Sequence, residues 1–354
     1  MKFSANELLE KTINQKSSDL HVTVGTPPII RVNTRLIKLT DYQPFTVEDV
    51  EFFLGQLLTE EQKEIYSVNR EIDFSFSLGK VSRFRVNAFY QRGYPSVALR
   101  IIPFQVPTLS QLNLPDILVN LCGLNQGLVL IVGPTGHGKS TTIAAMIDRI
   151  NSERDAHIVT IEDPIEYVFV DNKSLIEQRE MYLDTHSWEV ALKSVLRQDP
   201  NVVVVGEMRD FETISSAITI AETGHLVLAT LHTNSAAQTI DRIIDVFPEV
   251  QQQQVRVQLS SILEAIISQR LIPSINGGLF PATEVLLSSP AVRNLIREGK
   301  THQIDNTIST SFDLGMLSLE RSLSALILSN TIALEEGLRF TTKPDELSRL
   351  IKRG

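Results

Sequence analysis

The 354-residue sequence contains one cysteine, no long apolar run and no cluster of consecutive basic residues. A single cysteine, Cys122, excludes an internal disulfide and any zinc module built on paired cysteines, and suits a reducing compartment. Cys122 itself reads as a small buried apolar residue. No stretch approaches the roughly 20 apolar residues that cross a bilayer. The opening residues Met1-Lys-Phe-Ser-Ala-Asn-Glu7 lack the apolar segment of a signal peptide. A cytoplasmic protein is expected, touching membrane only through partners. Acidic residues outnumber basic ones by 42 to 33, a formal net charge of −9, which counts against nucleic acid as a partner.

What is present describes an ordinary globular chain, 42% hydrophobic and 21% charged, and long enough for two domains. Residues 1–102 read as a smaller α+β domain. Helices are predicted over Asn6–Lys16 and within Thr46–Tyr66, and strands over Asp19–Gly25, Ile29–Leu39, Ser82–Tyr90 and Ser96–Ile102. The stretch 103–111, with Pro103 and Pro107 and little periodicity, reads as a linker. From 112 to 354 the pattern changes to α/β. Short, nearly continuous apolar runs at Leu128–Val132, Ile158–Ile161, Val202–Val205 and Leu226–Leu231 predict central parallel strands buried on both faces. Ligands of such a doubly wound sheet sit at the carboxyl ends of its strands. Beyond residue 250 the chain reads as mostly helical, with a hairpin near Pro273–Gly278.

The first of those runs breaks into Gly133-Pro134-Thr135-Gly136-His137-Gly138-Lys139-Ser140-Thr141. Glycines at this spacing let successive backbone N–H groups and a helix N-terminus converge on phosphate oxygens, which is the phosphate loop of nucleoside-triphosphate proteins. Lys139 then reaches the β- and γ-phosphates and the Ser140 hydroxyl holds Mg²⁺, so ATP and Mg²⁺ are the expected cofactors. A glycine turn without nucleotide is the alternative. Val202–Val205 runs into Gly206-Glu207-Met-Arg-Asp210, where Glu207 would bind Mg²⁺ through water. Ile158–Ile161 runs into Glu162-Asp163-Pro-Ile-Glu166, a source of the carboxylate that orients water near the γ-phosphate. A solvated loop is the plainer reading of either acidic cluster. His225 and His232 bracket the next strand and suggest a polar sensor at the phosphate site, although a lone histidine on an apolar strand is usually a satisfied core residue. No third histidine or cysteine has zinc spacing there.

Together with Ser18-Asp-Leu-His21, Phe84-Arg-Val-Asn-Ala-Phe89 and Ala291-Val-Arg-Asn-Leu-Ile-Arg-Glu298, these four motifs closely resemble those of the secretion-superfamily ATPases, over nearly the whole chain. The last segment looks like the Ala-Ile-Arg-Asn-Leu-Ile-Arg-Glu motif of type IV pilus retraction ATPases. The resemblance implies a PAS-like N-terminal domain and a RecA-like ATPase domain. It also implies a homohexamer peripheral at the inner membrane, acting on the pilus platform protein and in some settings joined by a paralogous retraction ATPase. Carried over by motif, Glu166 is the general base, Glu207 the Walker B carboxylate, and His232 with His225 the histidine box. His137 departs from the small residue usual in the loop. It reads either as a tolerated exposed side chain or as a modifier of affinity or pH dependence.

Arg83 and Arg85 share one face of a predicted strand opposite Phe84 and Val86, and Arg100 lies on the neighbouring strand. Such a basic face suits arginine fingers that complete a neighbour's nucleotide site. The resemblance favours Arg85 and Arg100, with surface solvation or local salt bridging as the alternative and Arg197 a weaker candidate. Two other functions share a RecA-like core. A nucleic-acid translocase would want a basic or aromatic lining, which the acidic balance disfavours. A non-hydrolysing accessory paralogue could lose Lys139, Glu166 and Glu207, all of which are present. An assembly or secretion ATPase would carry a further N-terminal domain and a four-cysteine zinc element.

Overall fold

The computed structural model describes residues 4–32, 35–79, 82–102 and 106–353; residues 103–105 of the expected linker, Asn33 and Thr34 of an expected strand, and Met1–Phe3 lie outside them. By contacts the chain forms two units, one comprising Met1–Gln105 with Pro164–Val168 and the other Val106–Asp163 with Phe169–Gly354.

The N-terminal unit is one six-stranded antiparallel sheet in the order β3-β2-β1-β6-β5-β4. Its strands are β1 (Asp19–Thr23), β2 (Ile29–Val32), β3 (Arg35–Lys38), β4 (Glu71–Leu78), β5 (Ser82–Gln91) and β6 (Tyr94–Ile102). Helices α1 (Ala5–Asn14), α2 (Val47–Leu57) and α3 (Glu60–Asn69) accompany it. Alternation makes β5 two-faced: Phe84, Val86 and Ala88 are fully buried while Arg83 and Arg85 point the other way. Arg92 (φ 50°) and Gly93 (φ 82°) close the β5–β6 hairpin, so the turn is this pair and Pro95 belongs to the strand after it. Two predictions are corrected here. Ile29–Leu39 is an antiparallel pair, not one strand. The helix within Thr46–Tyr66 is two helices, because Thr59 and Gln62 form a second capping box after Leu58 turns extended, as Thr46 and Asp49 form the first.

The second unit is built on a seven-stranded sheet in the order β13-β12-β7-β11-β10-β8-β9. The predicted parallel strands are β7 (Gly127–Val132), β8 (His157–Glu162), β10 (Val202–Val205) and β11 (Leu226–Leu231). A polar edge strand β9 (Leu175–Glu180) follows β8, and β12 (Leu263–Pro273) runs parallel to β7 and antiparallel to β13 (Leu279–Leu287). Every residue of β7, β10 and β11 is buried, and successive residues feed opposite cores. Val129, Ile131, Val204 and Leu228 meet α4 (Ile117–Cys122) and α5 (Lys139–Glu153). Leu130, Val132, Val205 and Ala229 meet α6 (Trp188–Val195), α7 (Phe211–Glu222), α8 (Ala236–Asp245) and α9 (Glu249–Ile262). Burying one such aliphatic side chain contributes about 1.5–3 kcal/mol, so the strand interiors admit no polar chemistry and leave it to the strand ends. Cys122 is buried on α4, and burial first of all pushes its thiol up to about 12, as suits an inert small apolar residue.

Helices α10 (Pro290–Arg297), α11 (Ile304–Thr310), α12 (Leu319–Leu328), α13 (Leu334–Phe340) and α14 (Pro344–Arg353) complete the unit. Glu284 of β13 accepts a hydrogen bond from the Ala236 N–H (2.7 Å) at the start of α8. Burial pushes its carboxyl up to about 7, helped by Asp305 and Glu320 and opposed by that N–H and Lys343. The folded protein therefore holds this proton to about pH 7, whereas the unfolded chain releases it near 4.5. Its contribution is full below that lower value and is lost as pH rises through 7. Glu284→Gln keeps the acceptor without the charge. Chemical denaturation should show it more stable than the parent by on the order of 2 kcal/mol at pH 8.5 and equal to it near pH 4.5; equal stability at pH 8.5 would contradict the assignment.

Candidate functional site

β7, β11, β10 and β8 run parallel, so their carboxyl ends gather at one edge of the sheet. The phosphate-loop sequence leaves β7 there and enters α5, whose N-cap is Gly138 in the left-handed region (φ 81°). At Gly133 (φ 144°) a Cβ would stand 2.3 Å from the carbonyl oxygen of Gln269 on β12, and at Gly138 it would meet the Gln269 amide at 2.9 Å. Close approach of the β12 backbone thus requires glycine at position 133, and the left-handed backbone favours it at 138. Gln269 is buried: its Nε2 donates to the His137 carbonyl (2.9 Å) and its Oε1 accepts from Thr142 Oγ1 (2.7 Å).

Lys139 is only 7% exposed. Its Nζ donates to the carbonyls of Gly133 (2.9 Å) and Pro134 (3.0 Å) and lies 3.2 Å from His232 Nδ1. Thr135 Oγ1 also stands 3.2 Å from that nitrogen. The ammonium can only donate, so Nδ1 accepts and the ring proton sits on Nε2, 3.2 Å from Glu207 Oε1. The other carboxylate oxygen of Glu207 is 2.8 Å from Arg209 Nη2. Burial pushes the Glu207 carboxyl up, but Arg209 and His232 outweigh it and hold it below its ordinary range, while Glu207 raises Arg209 in return. The loop carrying Glu207 is fixed to β11, with Thr230 Oγ1 donating to the Gly206 carbonyl (2.5 Å) and the Met208 N–H donating to the Thr230 carbonyl (3.0 Å).

The fold thus brings Thr135, Lys139, Glu207 and His232 into one connected array. Ser140, in the first turn of α5, is exposed beside it in sequence, with Thr141 half-buried. His225 does not join: it precedes β11 at the opposite end of the strand, its Nδ1 3.0 Å from both the Ile220 carbonyl and Thr223 Oγ1. A parallel strand of six residues separates the two histidines by roughly 20 Å, so the sensor reading keeps only His232. In the acidic box, Glu162 ends β8 and accepts from Thr160 Oγ1 (2.6 Å) and Gln178 Nε2 (3.2 Å). Glu166 lies in Pro164–Val168, the segment that packs with the N-terminal unit, and its carboxylate is 3.8 Å from Arg85 Nη1. Arg100, opposite Arg85 in the β5–β6 register, pairs with Asp19 (3.0 Å). Local salt bridging therefore occupies both arginines, and Arg197 is exposed beyond α6.

Two participants escaped the sequence reading. Arg209 stood inside a quoted motif without a role, though an arginine two residues from a half-buried acid was signal enough. Gln269 had none, because its part depends on β12 lying against the loop. His137 is corrected too: it is half-buried, not exposed, and its Nδ1 accepts from the Leu271 N–H (2.9 Å). On α10, Val292 and Ile296 are buried, Arg297 is exposed, and Arg293 is tied to Ser288 Oγ (2.8 Å) and Glu264 Oε1 (3.3 Å).

Comparison with known proteins agrees with this arrangement. A family model described as Type II/IV secretion system protein matches residues 2–284. The chain is 45% identical to the type IV pilus retractation ATPase PilT of Pseudomonas aeruginosa over 93% of its own length and 95% of that protein's. It is 44% identical to a twitching motility protein of Neisseria gonorrhoeae, covering 98% and 92% of the two chains. Its fold matches the crystal structure of the pilus retraction motor PilT with bound ADP at a TM-score of 0.92, with 46% identity over 98% of this chain and 99% of that one. In motif content, fold and extent alike, the chain belongs to the Type II/IV secretion system protein family.

Proposed function

We propose that this chain is an ATP-hydrolysing motor that powers type IV pilus retraction. The carrying observation is the Lys139–His232–Glu207 array at the carboxyl edge of a parallel sheet, in a chain similar over nearly its whole length to a pilus retraction ATPase. The residues fit a magnesium nucleotide. Backbone N–H groups of Gly136–Thr141 open onto the start of α5, the Ser140 hydroxyl is exposed in its first turn, and Glu207 is held ionised. Bound there, Mg²⁺ would neutralise phosphate charge.

In this reading the backbone from Gly133 to Gly138, with Pro134, Thr135 and His137 between, cradles the phosphates. Lys139 exchanges its two loop carbonyls for phosphate oxygens. Ser140 and Glu207 hold the metal, directly and through water. His232 relays the position of Lys139 to Glu207, because one imidazole touches both. Glu166 accepts the proton of the attacking water. Arg85 and Arg100 stabilise phosphate charge, supplied from a neighbouring subunit. The Arg85–Glu166 pair is exposed on both sides and worth at most about 1 kcal/mol, so a phosphate can displace it. The domain limits proposed are 1–102 and 112–354, joined by 103–111. Assembly as a homohexamer, work on an inner-membrane platform protein, company of a paralogous retraction ATPase, and a cytoplasmic place at that membrane complete the proposal.

Glu166→Gln should lower ATP turnover by roughly 10²- to 10⁴-fold while ATP binding and a six-chain mass in solution persist. Turnover equal to the parent's would remove Glu166 as the base, and a monomer inert toward ATP in either form would remove the motor. On α10 the two arginines should separate. Arg293→Ala removes the partner of the part-exposed Glu264 and the bond to Ser288 and should destabilise the fold by about 1 kcal/mol in denaturant titration. In the same proposal the exposed face of α10 couples hydrolysis to force output, so Arg297→Ala should leave stability within about 0.5 kcal/mol but abolish pilus retraction in cells; normal retraction would end that role for Arg297.

A further inference from the structure

β7 ends at Val132, but its neighbour β12 continues to Pro273, and their pairing stops at Ser268. Beyond that point, among the described residues, no strand pairs with the β12 edge that faces the phosphate loop. His137 supplies the acceptor: its Nδ1 takes the Leu271 N–H at 2.9 Å, on the edge opposite the one by which Leu271 pairs with Pro281 of β13. The loop is held a second time through the His137 carbonyl, which accepts from Gln269 Nε2 (2.9 Å). A third contact leads outward. The His137 ring meets Phe340 edge-on, with centroids 6.4 Å apart and planes at 68°, and the Phe340 carbonyl accepts from the Arg270 guanidinium.

We propose that His137 is a positioning residue for nucleotide binding, its neutral imidazole clamping the phosphate loop to β12 and to the end of α13. This rests on the nucleotide reading above. Only the neutral ring can serve, because a protonated imidazole has no lone pair at Nδ1 and would turn a donor toward the Leu271 N–H. The charged groups facing the ring are Lys139 from α5 and Arg270 from β12, both cations. Burial, then those two cations, hold His137 below its ordinary range, so the clamp is engaged at neutral pH and releases on acidification.

The test is calorimetric titration of the full chain with ADP at pH 7.5 and 5.5, for the parent, His137→Ala and His137→Asn. At pH 7.5 the alanine variant should bind about three- to tenfold more weakly, the size expected for one lost hydrogen bond. Asparagine, whose side-chain oxygen can take the Leu271 N–H, should restore most of the loss. The nucleotide's own phosphate changes charge in this pH range, and His137→Asn, sharing that change, subtracts it. Greater loss of affinity in the parent than in His137→Asn as pH falls supports release of the clamp on protonation. Hydrogen exchange at the Leu271 amide should be slow in the parent and in His137→Asn at pH 7.5 and fast in His137→Ala. Parent-like affinity in His137→Ala at pH 7.5, or no recovery of affinity in His137→Asn, would overturn the proposal. If His137→Ala does not fold, exchange of the Leu271 amide in the parent at pH 7.5 decides, a fast amide overturning the clamp. A parent that takes up no ADP at pH 7.5 removes the nucleotide reading and this proposal with it.

Discussion

The arrangement of the second unit depends on one constraint: β7, β10 and β11 are buried on both faces. A strand so placed cannot present a polar side chain along its length without the penalty of an unpaired buried group. Chemistry is displaced to the ends, and because the strands are parallel their ends coincide. Gly133, Gly206 and His232 each stand immediately after the last residue of a strand, which is how segments up to a hundred residues apart arrive at one edge.

At that edge the organising contact is His232. A lysine as deeply covered as Lys139 is stable only when its protons are directed at acceptors, and two loop carbonyls with one imidazole nitrogen provide them. That demand fixes the ring's tautomer, and the tautomer turns a donor on Glu207. The phosphate loop and the acid after β10 are thereby joined through one side chain, and Arg209 keeps the acid ionised from its other side. The wall behind the loop is β12, whose backbone makes Gly133 obligatory and which gives Gln269 and Leu271 their partners.

The N-terminal unit solves a different packing problem. Its antiparallel sheet alternates along β5, where Phe84 and Val86 go inside and Arg83 and Arg85 outside. Its charged groups are consequently held by neighbours on the open face or by the short segment Pro164–Val168, as Arg100 is by Asp19 and Arg85 by Glu166. The Arg85–Glu166 pair is exposed on both sides and easily exchanged for another anion, whereas Asp19 is largely covered.

The local patterns of the chain determined a good deal by themselves. Short continuous Val, Ile and Leu runs between turn signals point to central strands, alternation over Ser82–Tyr90 points to a one-faced strand, and glycine spacing before Lys139 sets a loop of backbone donors. What stayed illegible depends on partners distant in sequence. Leu175–Glu180 is too polar to announce itself as a strand and becomes one because β8 offers an edge. His225 and His232 look equivalent until strand direction sends them to opposite ends. Gln269, a lone amide on a long strand, and His137, a lone imidazole in a loop, acquire their roles from each other's neighbourhood across more than a hundred residues. Periodicity reports which face of an element is buried, because burial acts residue by residue. It does not report what lies opposite that face, because hydrogen bonds and ion pairs are decided only when two elements meet.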